Sequence, residues 1–127
     1  MVEFALVVGL FVFIMYGLIS FGMILATKQR ITNAAAEGAR AAVGQTSSAS
    51  AISAATARVV AALGTAGNTY TIGPGAGAPT VAACGSYQCI TVTITYDLAG
   101  HPVVPAAPGL GLVTPSSITS TAVVQYS

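Results

Sequence analysis

The sequence predicts an α+β fold in which a long hydrophobic N-terminal α-helix precedes a small head made of a short helix and an antiparallel β-sheet. Two observations predict it. Residues 4–27 carry no charged side chain, and apolar and polar residues alternate with period two only beyond Gly67. A long apolar run indicates a helix, whereas alternation indicates half-buried strands. We therefore expect two parts, a helix over residues 1–43 and a head over residues 44–127.

The N-terminal helix is long enough to cross a membrane or to lie in the core of a filament. The uncharged run Phe4–Thr27 has 24 residues, which span about 36 Å, more than the ~30 Å hydrocarbon core of a bilayer. Its apolar residues lie on all sides, as in a helix surrounded by lipid or by other helices. The alternative, the core helix of a soluble domain, would need a larger chain to enclose it. Lys28 and Arg30 mark the end of the span.

Small residues recur along this helix at a spacing of four. The series are Ala5 and Gly9, Gly22 and Ala26, and Ala34, Gly38 and Ala42. Small residues at this spacing allow a second helix to approach closely. Alanine is also the best helix former, so the spacing has a second interpretation that involves no contact.

The head is predicted to contain one short helix and four strands. The helix begins with Ser48 or Ser50 as its N-cap and stops at Gly64. A loop with four prolines, residues 97–117, separates the last two strands and excludes regular structure there. The predicted strands are Thr69–Ile72, Thr80–Ala83, Cys89–Tyr96 and Ile118–Tyr126.

The two cysteines, Cys84 and Cys89, stand on either side of a predicted turn. Their spacing permits a disulfide, which we favour over two buried free thiols. A zinc site would need further ligands than one distant His, and a redox pair would have the shorter C-x-x-C spacing. A disulfide predicts that the head lies outside the cytoplasm.

Composition excludes several classes of function. Charged residues make up 6% of the chain and the net charge is +1, which offers no electrostatic surface for nucleic acid. One His and three acidic residues leave little from which to build a catalytic site, so we expect neither an enzyme nor a bound metal or cofactor. Beyond Ala41 the only charged side chains are Arg58 and Asp97. A head with so few charges is expected to be covered by neighbouring molecules or by glycan.

Four segments of the chain resemble one family. The opening VEFALV with the uncharged run, then QRITNAAAEGARAAV, and the closing pair ITVTITYDL and ITSTAVVQYS, are similar to the TadE-like pilins of the tight-adherence branch of type IV pili. The resemblance covers most of the chain and is weakest over residues 44–88. It implies a type IV pilin-like fold.

The resemblance implies a structural subunit that polymerises through its hydrophobic helix into an adhesive pilus. A prepilin peptidase would remove a leader, and an assembly platform would move the subunit from the cytoplasmic membrane into an extracellular fibre of copies or related pilins. The acidic residue that the family carries near its mature N-terminus corresponds to Glu3, where it would pair with the α-amino group of a neighbouring subunit. Because the family places this acid fifth, either two residues precede Met1 or processing differs.

Residues expected to contact other subunits are Glu3, Phe4, Gly9, Gly17, Gly22, Ala34, Gly38 and Ala42. A second interpretation is a single-pass anchored component of the envelope or of a secretion system that forms no long fibre. An extracytoplasmic enzyme is a third, which the scarcity of catalytic residue types disfavours.

Overall fold

The structure, a computed structural model, describes residues 2–64, 69–74, 77–103 and 115–126. Its elements in chain order are α1 (Val2–Ala42), α2 (Ser48–Leu63), β1 (Tyr70–Ile72), β2 (Thr80–Cys84), β3 (Tyr87–Asp97) and β4 (Ser117–Gln125). The predicted α+β class is therefore confirmed. Most of the proline-containing loop predicted to be irregular lies outside the described residues.

Helix α1 runs without interruption through 41 residues, about 62 Å at 1.5 Å per residue. No proline interrupts this segment. It ends where Gly44 adopts a positive φ of 85°, a conformation that glycine reaches without steric cost. The amide of Val43 donates to the carbonyl of Arg40, 3.1 Å away, which tightens the last turn.

Helix α2 begins with a capping box. Ser47 is the N-cap: its hydroxyl accepts from the amide of Ser50, and the Ser50 hydroxyl accepts in return from the Ser47 amide. The cap predicted at Ser48 or Ser50 was therefore wrong by one residue or more, because a run of serines offers several hydroxyls of equal capping propensity. Gly64 ends the helix as predicted.

The sheet is built around β3, to which every other strand pairs in antiparallel fashion. Strand β4 follows one side of β3 from Cys89 to Asp97. Strands β1 and β2 share the other side, β1 opposite residues 94–96 and β2 opposite residues 87–91. The chain leaves the sheet between them at Gly73, whose φ is +83°. Strands β1 and β2 thus act as one interrupted strand.

The core lies between one face of the sheet and the two helices. Ile90, Val92 and Ile94 are fully buried on that face of β3, and Tyr96 is nearly so, as the alternation predicted. The threonines of the opposite face pair across strands, with Thr93 and Thr121 hydroxyls 3.3 Å apart and those of Thr95 and Thr119 3.2 Å apart.

The buried core face of α1 consists of Ile31, Ala34, Ala35, Gly38, Ala39 and Ala42. Helix α2 lies close to α1 at Gly38. A β-carbon at Gly38 would lie 2.5 Å from Cγ2 of Val59 and 3.2 Å from the carbonyl oxygen of Ala55, so no larger residue fits without displacing α2.

Candidate membrane and assembly surface

The N-terminal half of α1 exposes large apolar side chains on all sides. Phe4 is 75% exposed and Leu18 69%. The 18-residue stretch of α1 that has the length and composition of a membrane span is almost wholly exposed, so this is not the core helix of a soluble domain. The exposed large residues are Val2, Phe4, Leu6, Val7, Val8, Leu10, Phe11, Val12, Phe13, Ile14, Met15, Leu18, Ile19, Phe21, Met23 and Leu25.

Polar side chains inside the uncharged run bond to the helix itself. The hydroxyl of Ser20 donates to the carbonyl of Tyr16 at 2.7 Å, and that of Thr27 donates to the carbonyl of Met23 at 3.0 Å. Hydroxyls satisfied in this way need no water, which suits a helix in lipid. Ser20 and Ile24 are buried, so one face of α1 is already covered within the uncharged run.

Glu3 lies in the first turn of α1, where the positive end of the helix dipole favours a carboxylate. Within the described residues it forms no ion pair. Gly9 and Gly22 are exposed and Gly17 is half-buried on the same half of the helix, and no described residue lies within 4 Å of a β-carbon built at any of them. These residues and Phe4 are therefore accessible to another helix.

The other three residues predicted to contact neighbouring subunits have a different environment. Ala34 and Ala42 are buried and Gly38 packs against α2 of the same chain. The small residues do allow a second helix to approach, but that helix is α2. In this structure Ala34, Gly38 and Ala42 therefore belong to the head core, and a contact of these residues with a neighbouring subunit stays a prediction.

The charged residues of the two helices form a small network. Glu37 accepts from Arg58 of α2 at 3.3 Å and lies 3.9 Å from Arg40. Arg40 is three residues from Glu37 on the same helix, a spacing at which side chains meet. Arg58 is 21 residues away in sequence, too far for a local pattern to indicate the contact.

Cys84 and Cys89 form a disulfide, which confirms the bond favoured from their spacing. It joins β2 to β3 across a hairpin whose turn contains Gly85 with φ +72°. In the register Cys89 faces Ala82 and Cys84 faces Tyr87, so the bond connects the two strands diagonally next to the turn.

Asp97 and Tyr96 form hydrogen bonds within the turn that follows β3. The carboxylate of Asp97 accepts from the amide of Ala99 at 3.0 Å, and the Tyr96 hydroxyl donates to the carbonyl of His101 at 2.8 Å. Burial, with smaller contributions from Tyr70 and Asp97, raises the pKa of Tyr96 above its ordinary value of 10.0. Over the described ranges no three His, Cys, Asp or Glu side chains come together to hold a metal ion.

These features define a class: a protein with one exposed, membrane-length N-terminal helix that continues into the core of an α+β head. Residues 1–40 match the family model described as TadE-like protein. The match confirms, over these residues, the resemblance to TadE-like proteins recognised in the sequence. No curated protein and no solved structure matches the chain.

Proposed function

We propose that this chain is a pilin subunit of a tight-adherence type IV pilus, and that it polymerises through the exposed half of α1 for surface adhesion. The observation that supports this most directly is the exposed apolar half of α1, which needs lipid or other helices around it. The match of residues 1–40 to TadE-like proteins favours other helices as the final surroundings.

In the proposed mechanism, α1 leaves the lipid bilayer and comes to lie among the α1 helices of other subunits. The subunit waits in the cytoplasmic membrane with residues 4–27 in lipid. The assembly platform then extracts it, and contacts between α1 helices replace contacts with lipid. Because association in an apolar environment depends on close packing, open glycine positions are the natural contact points. Gly9, Gly17 and Gly22 offer such positions on the exposed half, with Phe4 close to the N-terminal end.

Glu3 is proposed to determine how neighbouring subunits are aligned along the filament axis. A carboxylate moved into a helical bundle without a partner costs several kcal/mol, and a matched cation removes much of that cost. The α-amino group of a neighbouring subunit, freed by a prepilin peptidase, is the proposed cation. Only an arrangement of subunits that brings the Glu3 carboxylate next to this α-amino group would avoid the cost of an unpaired charge.

The proposed location follows from the same arrangement. The helix residues 1–43 would be the membrane or filament-core part and residues 44–127 the extracytoplasmic head. The disulfide between Cys84 and Cys89 supports an oxidising compartment for the head. The proposed partners are other copies or related pilins in the filament.

Replacement of the acidic residue tests the proposal. We expect Glu3→Ala to insert into the membrane at the normal level but to enter filaments poorly, because the α-amino group of its neighbour loses its partner. Glu3→Asp, which keeps the charge on a side chain shorter by one methylene, is the matched control and should retain most incorporation. The measurement is the amount of the chain in sheared surface fibres relative to the membrane fraction.

Normal incorporation of Glu3→Ala would contradict the ion pair. Absence of the wild-type chain from sheared fibres, with the chain retained in the membrane, would contradict the pilin role itself. That result would support an anchored component of the envelope or of a secretion system.

A further inference from the structure

We propose that the groove between α1, the end of α2 and β1 binds the phosphate group of an anionic phospholipid, with Arg30 as its main ligand. The groove has a volume of about 540 Å³. The residues that line it include Arg30, Asn33 and Glu37 of α1, Leu63 and Gly64 at the end of α2, and Tyr70 of β1. The inference requires that α1 spans a bilayer and is independent of filament assembly.

Hydrogen-bond donors in this groove lack partners in the part of the chain that the structure describes. Arg30 takes part in no ion pair there, and neither the Asn33 amide nor the Tyr70 hydroxyl takes part in a hydrogen bond. A guanidinium presents its N–H groups in a planar fork that matches two phosphate oxygens. The amide and the phenol supply further donors to the same ligand.

The charges around the groove favour an anion. Glu37 is its acidic lining residue, and that carboxylate is already compensated by Arg58 at 3.3 Å and Arg40 at 3.9 Å. The charged residues that line the groove are Arg30 and Glu37, and together with Arg40 and Arg58, which contact Glu37, three positive charges and one negative charge give +2. A surface of this sign is attracted to anionic lipids.

The depth of the groove matches the position of lipid phosphates. Arg30 follows Thr27, the end of the uncharged run, by about 4.5 Å along the helix axis. The headgroup layer extends roughly 5–8 Å beyond each side of the hydrocarbon core. Arg30 therefore lies within this layer, and Asn33, about 9 Å from Thr27, lies at its outer border.

The surface of α1 below Arg30 leaves room for an acyl chain. Ala26 and Gly22 precede Arg30 by four and eight residues, which places them on the same face of the helix. Both are exposed, and a β-carbon at Gly22 would have none of the described residues within 4 Å. A lipid whose phosphate contacts Arg30 can therefore lie against this face.

The test compares two neighbouring cations in the full chain, reconstituted in nanodiscs with a trace of spin-labelled lipid. We expect the wild type to immobilise phosphatidylglycerol about fivefold more strongly than phosphatidylcholine, the effect of about one cation at a membrane surface. Arg30→Gln should reduce the preference below about twofold. Lys28→Gln is the matched control, because it removes the same charge about 200° around the helix and Lys28 does not line the groove.

Two further arms identify the ligand. Tyr70→Phe removes one hydroxyl and should weaken the preference measurably while the head stays folded. Millimolar inorganic phosphate at constant ionic strength should leave the preference unchanged. The proposal is overturned if the wild type shows no preference, if Lys28→Gln loses as much as Arg30→Gln, or if inorganic phosphate abolishes the preference, which would indicate a site for free phosphate.

Discussion

Gly38 is a position at which the packing of the two helices leaves no room for a side chain. A side chain there would collide with Val59 and approach the backbone of α2 at Ala55. The spacing of small residues predicted a close helix contact at this position. It could not identify the partner, because α2 of the same chain and α1 of a neighbouring subunit would satisfy the same spacing equally well.

Gly38→Leu is expected to lower the free energy of unfolding of the head by about 1–3 kcal/mol, because the added atoms force α2 away from α1. Gly22→Leu is the matched control, since a side chain there enters open space. Thermal unfolding of the full chain in detergent, followed by near-UV circular dichroism, measures both. Equal unfolding midpoints for the two variants would contradict this expectation and show that α2 can move away from Gly38 at little cost in stability.

At the scale of single elements, local patterns were sufficient for most boundaries. The uncharged run predicted the long N-terminal helix that the structure has as α1. The alternation around Val92 and Ile94 predicted both the strand and its buried face. In contrast, nothing in the sequence indicated that β1 and β2 would share one side of β3, because pairing depends on contacts distant along the chain.

The β2–β3 hairpin allows a test of the disulfide. We expect the double variant Cys84→Ser, Cys89→Ser to keep its fold and to lose about 2 kcal/mol of stability, the loop-closure entropy of a short ring. The two strands keep five residue pairs without it, which is why the fold should persist. Chemical denaturation of the wild type and the variant under oxidising conditions gives the difference. Loss of the folded state in the variant would mean that the bond also determines the strand register.

At the scale of the whole molecule, one helix serves two environments. Its first half is exposed and apolar, and one face of its second half is buried against the sheet and α2. The sequence predicted a long helix and an apolar span. It could not show that Ser20 and Ile24 are buried, because such side chains are equally compatible with lipid and with protein around them.

Thiol labelling in vesicles tests this division. Leu10→Cys should resist a water-soluble maleimide although Leu10 is 58% exposed in the protein, because lipid would cover it. Gln29→Cys, just beyond the uncharged run, should react, and both should react after denaturation. On intact cells we expect Gln29→Cys to react with an impermeant reagent from outside. Labelling of Leu10→Cys in sealed vesicles would contradict the membrane span.

The unbroken course of α1 from Val2 to Ala42 also has a mechanical consequence. No hinge or linker separates the part of α1 that packs against the sheet from the exposed N-terminal part of the same helix. A rotation of the lower half about its own axis therefore turns the sheet through the same angle. A force applied to the sheet is likewise transmitted directly along α1, because no flexible segment lies between the two parts of the helix.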